Sequence, residues 1–298
     1  MWKRFNRYNS GKLLSAQDIV YELDRLGVCR EKINGAHLAS IYRRLKRLSS
    51  APDFTGSRDL LSSELTYIAD QNCPVLGVIV ETRRHPALEF VVSCFEKRLH
   101  IPIQLFHGRR NLEFIMLSSI SELVHRGKVH LVQLDADELD ASRYNALFMT
   151  ERFWRRLISK DKILVFQTDA IICSGSDYKL TDFLSFDYIG SKWSRERPVG
   201  LLIDGGNGGL SLRDWNKSYE CLSRFPAKKW TGGEDGYFAF HIDLIGGKVG
   251  GDSDCARFST QHEFLYKSLG AHRISCLDQS SRAAFLQYCD DARFMTED

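Results

Sequence analysis

Lys162-Ile-Leu-Val-Phe-Gln-Thr-Asp-Ala-Ile-Ile-Cys173 is the stretch whose reading decides the fold. Ile163 to Gln167 is a short apolar run closing on a polar residue, and apolar residues resume at Ile171 and Ile172. A run this short, built of β-branched and aromatic residues, suits a strand buried on both faces, as in a parallel sheet. Asp169 then falls just beyond the carboxyl end of that strand, where open α/β sheets bind ligands. A carboxylate there is solvated, capped or on a metal, because burying it unpaired is costly. The plainer alternative is a turn or helix-cap residue.

Working back from this strand, Cys73 onward alternates strand and helix. Strands are expected over Val75–Val80, Ile101–Phe106, Val129–Leu134 and Lys162–Gln167. Helices are expected from His85-Pro86 through Leu99, over Asn111–Arg126 and over Ser142–Ser159, with Pro86 well placed in a first turn. Repeated β-α-β-α spacing argues for a parallel sheet with right-handed crossovers. Forward of Asp169 the rhythm changes. Asp187–Trp193 reads as a strand with polar ends, Asp204–Arg213 as a glycine-rich turn running into a strand and Trp215–Phe225 as a helix, and Trp230-Thr-Gly-Gly-Glu-Asp235 is a glycine-flanked acidic turn before a helix over Tyr237–Ile245. Glycines let a backbone approach a ligand closely, and two such loops beside tryptophans suggest a lined cleft.

The first 71 residues read as a basic helical lobe, leaving 72–298 as the α/β domain. Met1–Ser50 carries eleven Lys/Arg against four Asp/Glu. Ser15-Ala-Gln-Asp predicts a capped helix continuing through Ile19, Val20, Leu23 and Leu26. Ala36, Leu38, Ile41, Tyr42, Leu45 and Leu48 form a second apolar stripe, with Arg43, Arg44, Lys46 and Arg47 on or near the other face. The pair would serve as a helix-turn-helix unit on DNA, or as a small lobe whose charged face is solvated or touches an anionic membrane or lipid carrier. Residues 49–58 have linker composition, and 60–69 predict one more helix.

A hydrophobic content of 43% and a charged content of 27% are those of a globular protein. Apolar runs are far too short to span a bilayer. The start lacks the apolar segment of a secretory signal. Eight cysteines scattered singly, without Cys-x-x-Cys, predict reduced thiols in a cytoplasmic protein, peripheral to the membrane at most.

Two acidic candidates compete for a cation. Asp135-Ala-Asp137 is literally an Asp-x-Asp pair, but it lies with Glu138 and Asp140 just before a helix, where carboxylates are favourable without a ligand. Gln167-Thr-Asp169 follows the fourth strand. Glu81-Thr-Arg83, Phe106-His-Gly108 with Asn111, Tyr144-Asn145, Phe153-Trp154, Phe166–Asp169, Asp187–Gly190 with Trp193, Gly206–Arg213 and Glu234-Asp235 stand in an order that resembles a family of predicted GT-A-type glycosyltransferases, long catalogued as a domain of unknown function. The resemblance runs from Val75 to Cys276. Trp230–Asp235 is also similar to the Trp-Gly-Gly-Glu-Asp turn of metal-dependent galactosyltransferases, with one extra Thr.

This resemblance implies a GT-A-like, Rossmann-type mixed sheet flanked by helices, and transfer of a sugar from a nucleotide-sugar donor to a glycan or other hydroxyl acceptor. It implies that Asp169 and the late His272 hold Mn²⁺ or Mg²⁺, with Gln167 standing where the family has the first Asp. Glu81, Arg83, Asn111, Gln167 and Thr168 would bind the donor. Asp235 would be the general base of an inverting transfer, with Glu234 orienting acceptor or base. Trp193, Gly206, Asn207, Gly208, Gly209, Trp230 and Gly233 would frame the sugars. The residue types also allow plainer roles: a helix cap for Glu234-Asp235, core packing for either Trp, a surface position for His272. Two other functions compete, a DNA-binding regulator with a sugar-nucleotide-sensing domain and a sugar-nucleotidyltransferase. The latter usually carries a glycine-rich phosphate loop after the first strand, which Glu81-Thr-Arg-Arg-His-Pro86 lacks.

Overall fold

The computed structural model describes residues 13–48, 60–61, 74–194 and 200–295. Helix α1 (Ala16–Asp24) starts where Ser15 and Asp18 cap each other, the Asp18 amide donating to Ser15 Oγ at 3.1 Å and the Ser15 amide to Asp18 Oδ2 at 2.9 Å. Helix α2 (Gly35–Leu48) buries Leu38, Ile41, Tyr42 and Leu45 and exposes Arg43, Lys46 and Arg47. The linker over 49–58 and most of the helix expected over 60–69 lie outside the described residues.

The alternating part follows as β1 (Val75–Val80), α3 (Leu88–Leu99), β2 (Ile103–His107), α4 (Leu112–Met116), α5 (Ile120–His125), β3 (Val129–Gln133), α6 (Ala141–Phe148), α7 (Glu151–Arg155) and β4 (Lys162–Phe166). Two long helices of the expected pattern are each divided. The Ser118 hydroxyl interrupts the first by donating to the Ile115 carbonyl at 2.7 Å, and Thr150 caps a new helix in the second. Such local hydroxyl bonds compete with the helical ladder. The chain continues through β5 (Ala170–Ile172), β6 (Tyr188–Ser191), β7 (Asn207–Asp214), α8 (Trp215–Arg224), α9 (Glu234–Leu244), α10 (Asp252–Phe258), β8 (Ser259–Thr260), β9 (Gly270–His272) and α11 (Gln279–Tyr288).

The main sheet has six strands in the order β3-β2-β1-β4-β7-β6. β3, β2, β1 and β4 are parallel, and β7 and β6 run antiparallel to their neighbours. This is the expected mixed α/β sheet flanked by helices. The chain winds outward from β1 to β3, then crosses back to place β4 on the other side of β1. The ends of β1 and β4 therefore form a topological switch point, where neighbouring loops diverge and leave a crevice. Ile163 to Phe166 are fully buried, each contributing roughly 1.5–3 kcal/mol of burial. Phe166 stacks on Phe95 of α3 at 3.9 Å between ring centroids.

Ala170–Ile172 does not prolong the main sheet. The Ala170 amide bonds to the Gln167 carbonyl at 3.0 Å, turning the chain into a second sheet of order β5-β9-β8. α1 and α2 pack on α9 and share its core, with the Tyr42 hydroxyl 2.7 Å from His241 Nε2. The expectation of reduced thiols fails at one pair, because Cys173 and Cys289 form a disulfide. These cysteines are far apart in sequence and meet only because α11 lies against the end of β5. Among the described residues no helix is long and apolar enough to cross a membrane.

Candidate functional site

The switch point supplies the first wall. Glu81, Thr82 and Arg83 follow β1, and Thr168 and Asp169 follow β4; together they line a cavity of about 210 Å³. The loop is held from within: Glu81 accepts from the Arg83 amide at 2.8 Å and from its guanidinium at 3.0 and 2.9 Å. Asn111 is fully buried and donates to the carbonyls of Glu81 and Arg83 at 2.8 and 3.0 Å. It shapes the loop but lines neither this cavity nor the next. Asp135 and Asp137 also stand apart, Asp135 ion-paired with Arg109 and Asp137 accepting from the Arg110 amide at 3.0 Å.

Pairing between β5 and β9 brings in the late histidine. Ala170 opposes His272, and the Arg273 amide donates to the Asp169 carbonyl at 3.0 Å. His272 Nε2 consequently stands 3.2 Å from Asp169 Oδ1 and 3.2 Å from Gln167 Oε1. A Cβ on Gly209 would overlap the imidazole, so only glycine leaves the ring this place. Burial pushes the Asp169 carboxyl upward, but the His272 imidazole, with Arg273 beyond it, outweighs burial and holds it below the usual range. Asp169 Oδ1 and His272 Nδ1 are buried without a hydrogen bond. Among the described residues no group of three or more His, Cys, Asp and Glu is placed to hold a metal. Two oxygens and one imidazole nitrogen nevertheless converge here when the Gln167 amide is included, a donor set that suits Mn²⁺ or a similar cation.

The opposite wall is the start of α9. Asp235 lies in its first turn, where Oδ1 accepts from the Gly236 amide at 2.7 Å and Oδ2 from Asn207 Nδ2 at 3.2 Å. The Glu234 amide donates to Asn145 Oδ1 at 2.6 Å. Glu234 itself turns inward to a bidentate ion pair with fully buried Arg213, one arm of which measures 2.9 Å. Burial raises the Glu234 carboxyl against the pull of that guanidinium. Its carboxylate is thus engaged by the core.

These walls enclose a cavity of about 470 Å³ lined by Gln167, Asp169, Asn207, Gly208, Gly209, Gly233, Glu234, Asp235 and His272. Nine of the residues singled out by sequence therefore meet at one place. Glu81, Arg83 and Thr168 line the smaller cavity, whereas Trp230, Trp193 and Gly206, like Asn111, line neither. Trp230 is 4% exposed and packs with Tyr42, Phe240 and His241, its indole N–H donating to the Gly233 carbonyl at 3.2 Å. Trp193 packs against the main core, and Gly206, at φ +82°, serves the close passage of the chain past β6. A Trp beside glycines carries the same sequence signal whether it stacks on a sugar or fills a core. Sequence reasoning assigned no role to Tyr144, Asn145, Arg213, Arg273 or Arg282. Tyr144, Asn145 and Arg213 lie inside the motifs quoted, and that is the signal they offered. Arg273 follows His272 directly.

Lys128 to Arg273 matches a family described as a protein of unknown function, DUF5672. The match is just under half of the chain. It contains Tyr144, Asp169, Asp235 and His272 and leaves out Glu81, Arg83 and Asn111. Among curated proteins none matches by sequence. Among solved structures, the apo glycosyltransferase GlyE of Streptococcus pneumoniae TIGR4 is similar at 12% identity and TM-score 0.41, covering 72% of this chain and 59% of that one. A nucleoside-diphosphate-sugar pyrophosphorylase from Vibrio cholerae RC9 is similar at 12% identity and TM-score 0.37, covering 71% of this chain and 99% of that one.

Proposed function

We propose that the chain is a nucleotide-sugar-dependent glycosyltransferase acting on a hydroxyl acceptor. The observation that carries this reading is that Asp169 and Asp235 face one cavity, and that this cavity shares Leu139, Tyr144, Gln167 and Asp169 with the smaller one at the switch point. A donor laid across both would place its nucleoside beside Glu81, Arg83 and Thr168, its diphosphate beside Asp169, and its sugar toward Asp235.

Asp235 is the general base. As the acceptor oxygen attacks the anomeric carbon, its proton passes to the Asp235 carboxylate, and the bond to the leaving diphosphate breaks on the far side. A single displacement of this kind inverts the anomeric configuration. Asn207 and the amide of Gly236 hold the carboxylate in place. The Glu234–Arg213 pair fixes the turn that presents it, so that Glu234 orients the base. Asp169 and His272, with Gln167, would hold a divalent cation. When bound, such a cation neutralises charge on the leaving diphosphate.

A thermal-unfolding screen of UDP- and GDP-sugars with and without Mn²⁺ tests this. A ligand that binds only the folded chain raises the midpoint with its occupancy. One donor should stabilise the wild type in a metal-dependent way and lose that effect in Asp169→Ala. No response to any donor sinks the proposal.

A further inference from the structure

Tyr144 is one of four residues that line both cavities, with Leu139, Gln167 and Asp169. Its ring packs on Phe148 at 5.0 Å, and its hydroxyl is withdrawn from water without a hydrogen-bond partner. A buried hydroxyl left unpaired is costly, so its retention between two cavities calls for a partner. None of the neighbouring acceptors is bonded to it. Both Glu234 oxygens are taken by Arg213, Asp169 faces His272 and Arg273, and Gln167 points its carbonyl oxygen at His272. What Gln167 leaves for Tyr144 is its amide N–H₂, a donor. Burial also keeps the phenol protonated.

We infer that the Tyr144 O–H donates to a diphosphate oxygen of the donor as it passes from one cavity to the other. The inference rests on the donor reading above and adds a ligand-reading residue to it. A nucleoside in the smaller cavity and a sugar in the larger one must be joined past the shared residues, and the joining group is the diphosphate. A small movement of the ring brings the O–H to an oxygen there. The bond would have a charged acceptor, the stronger class of hydrogen bond.

The test compares wild type with Tyr144→Phe, which keeps the ring against Phe148. Binding of UDP and GDP in Mn²⁺, and of uridine and guanosine, is measured by calorimetry, and unfolding is followed without ligand. The expected result is a roughly ten- to hundredfold loss of diphosphate affinity. Nucleoside affinity should stay unchanged, and unliganded stability should stay equal or rise as the unpaired hydroxyl is removed. Equal diphosphate affinity in the two proteins overturns the inference alone. So does a lower unliganded midpoint in the variant, which would show an internal partner for the hydroxyl. Absence of any diphosphate binding by the wild type overturns the donor reading itself, and this inference with it.

Discussion

His272 Nε2 stands 3.2 Å from Asp169 Oδ1, although Asp169 follows β4 of the main sheet and His272 ends β9 of the small one. One backbone pairing, Ala170 against His272, produces the contact, and Gly209 makes room for it. Gly209→Ala should drive the imidazole out. Overpacking of this kind costs about 1–3 kcal/mol. Urea unfolding should show that loss, and any Mn²⁺-dependent donor binding should weaken with it.

Asp235→Asn keeps the shape of the side chain and an oxygen for the Gly236 amide, but it gives up the acceptor facing Asn207 and cannot take a proton. Transfer should fall by at least about a hundredfold, in line with the contribution of a general base. Donor affinity should hold. Turnover that survives undiminished would remove Asp235 from the reaction.

His241 is fully buried, and burial outweighs its bond to the Tyr237 carbonyl, lowering its pKa to about 3. The folded chain then holds it neutral, while the unfolded chain binds a proton near pH 6.5. Between those values the unfolded state carries more protons, so stability falls as pH falls. From pH 7 to pH 5 the contribution amounts to about 2 kcal/mol. A His241→Gln variant should lose that part of the slope in denaturation series at the two pH values.

Reducing the Cys173–Cys289 disulfide releases a loop spanning a sequence separation of 116. Closing a loop of that size restricts the unfolded chain, so reduction should cost about 2–4 kcal/mol. Unfolding with and without a dithiol measures it. Cys173→Ser with Cys289→Ser should be insensitive to the reductant.

Trp230→Phe separates core packing from sugar stacking. Its indole sits among Tyr42, Phe240 and His241, so the variant should lower stability and leave donor affinity near wild type. A large loss of donor affinity at unchanged stability would place the ring in the site after all.

Much of this molecule is legible along the chain because the signals are short-range. The alternation of apolar runs and amphipathic segments fixed the order of strands and helices from Val75 to Phe166, and an Asp at a strand end and another at a helix start marked two walls of a cleft. What lay beyond such reading were the long-range pairings. Local periodicity is blind to which distant strands will meet. Only the fold joined β5 to β9 and so gave Asp169 its histidine, turned Glu234 toward Arg213, closed the Cys173–Cys289 bridge and sent Trp230 into the core. Those outcomes are set by burial and by the need of each buried charge for a partner, and both depend on residues far away in sequence.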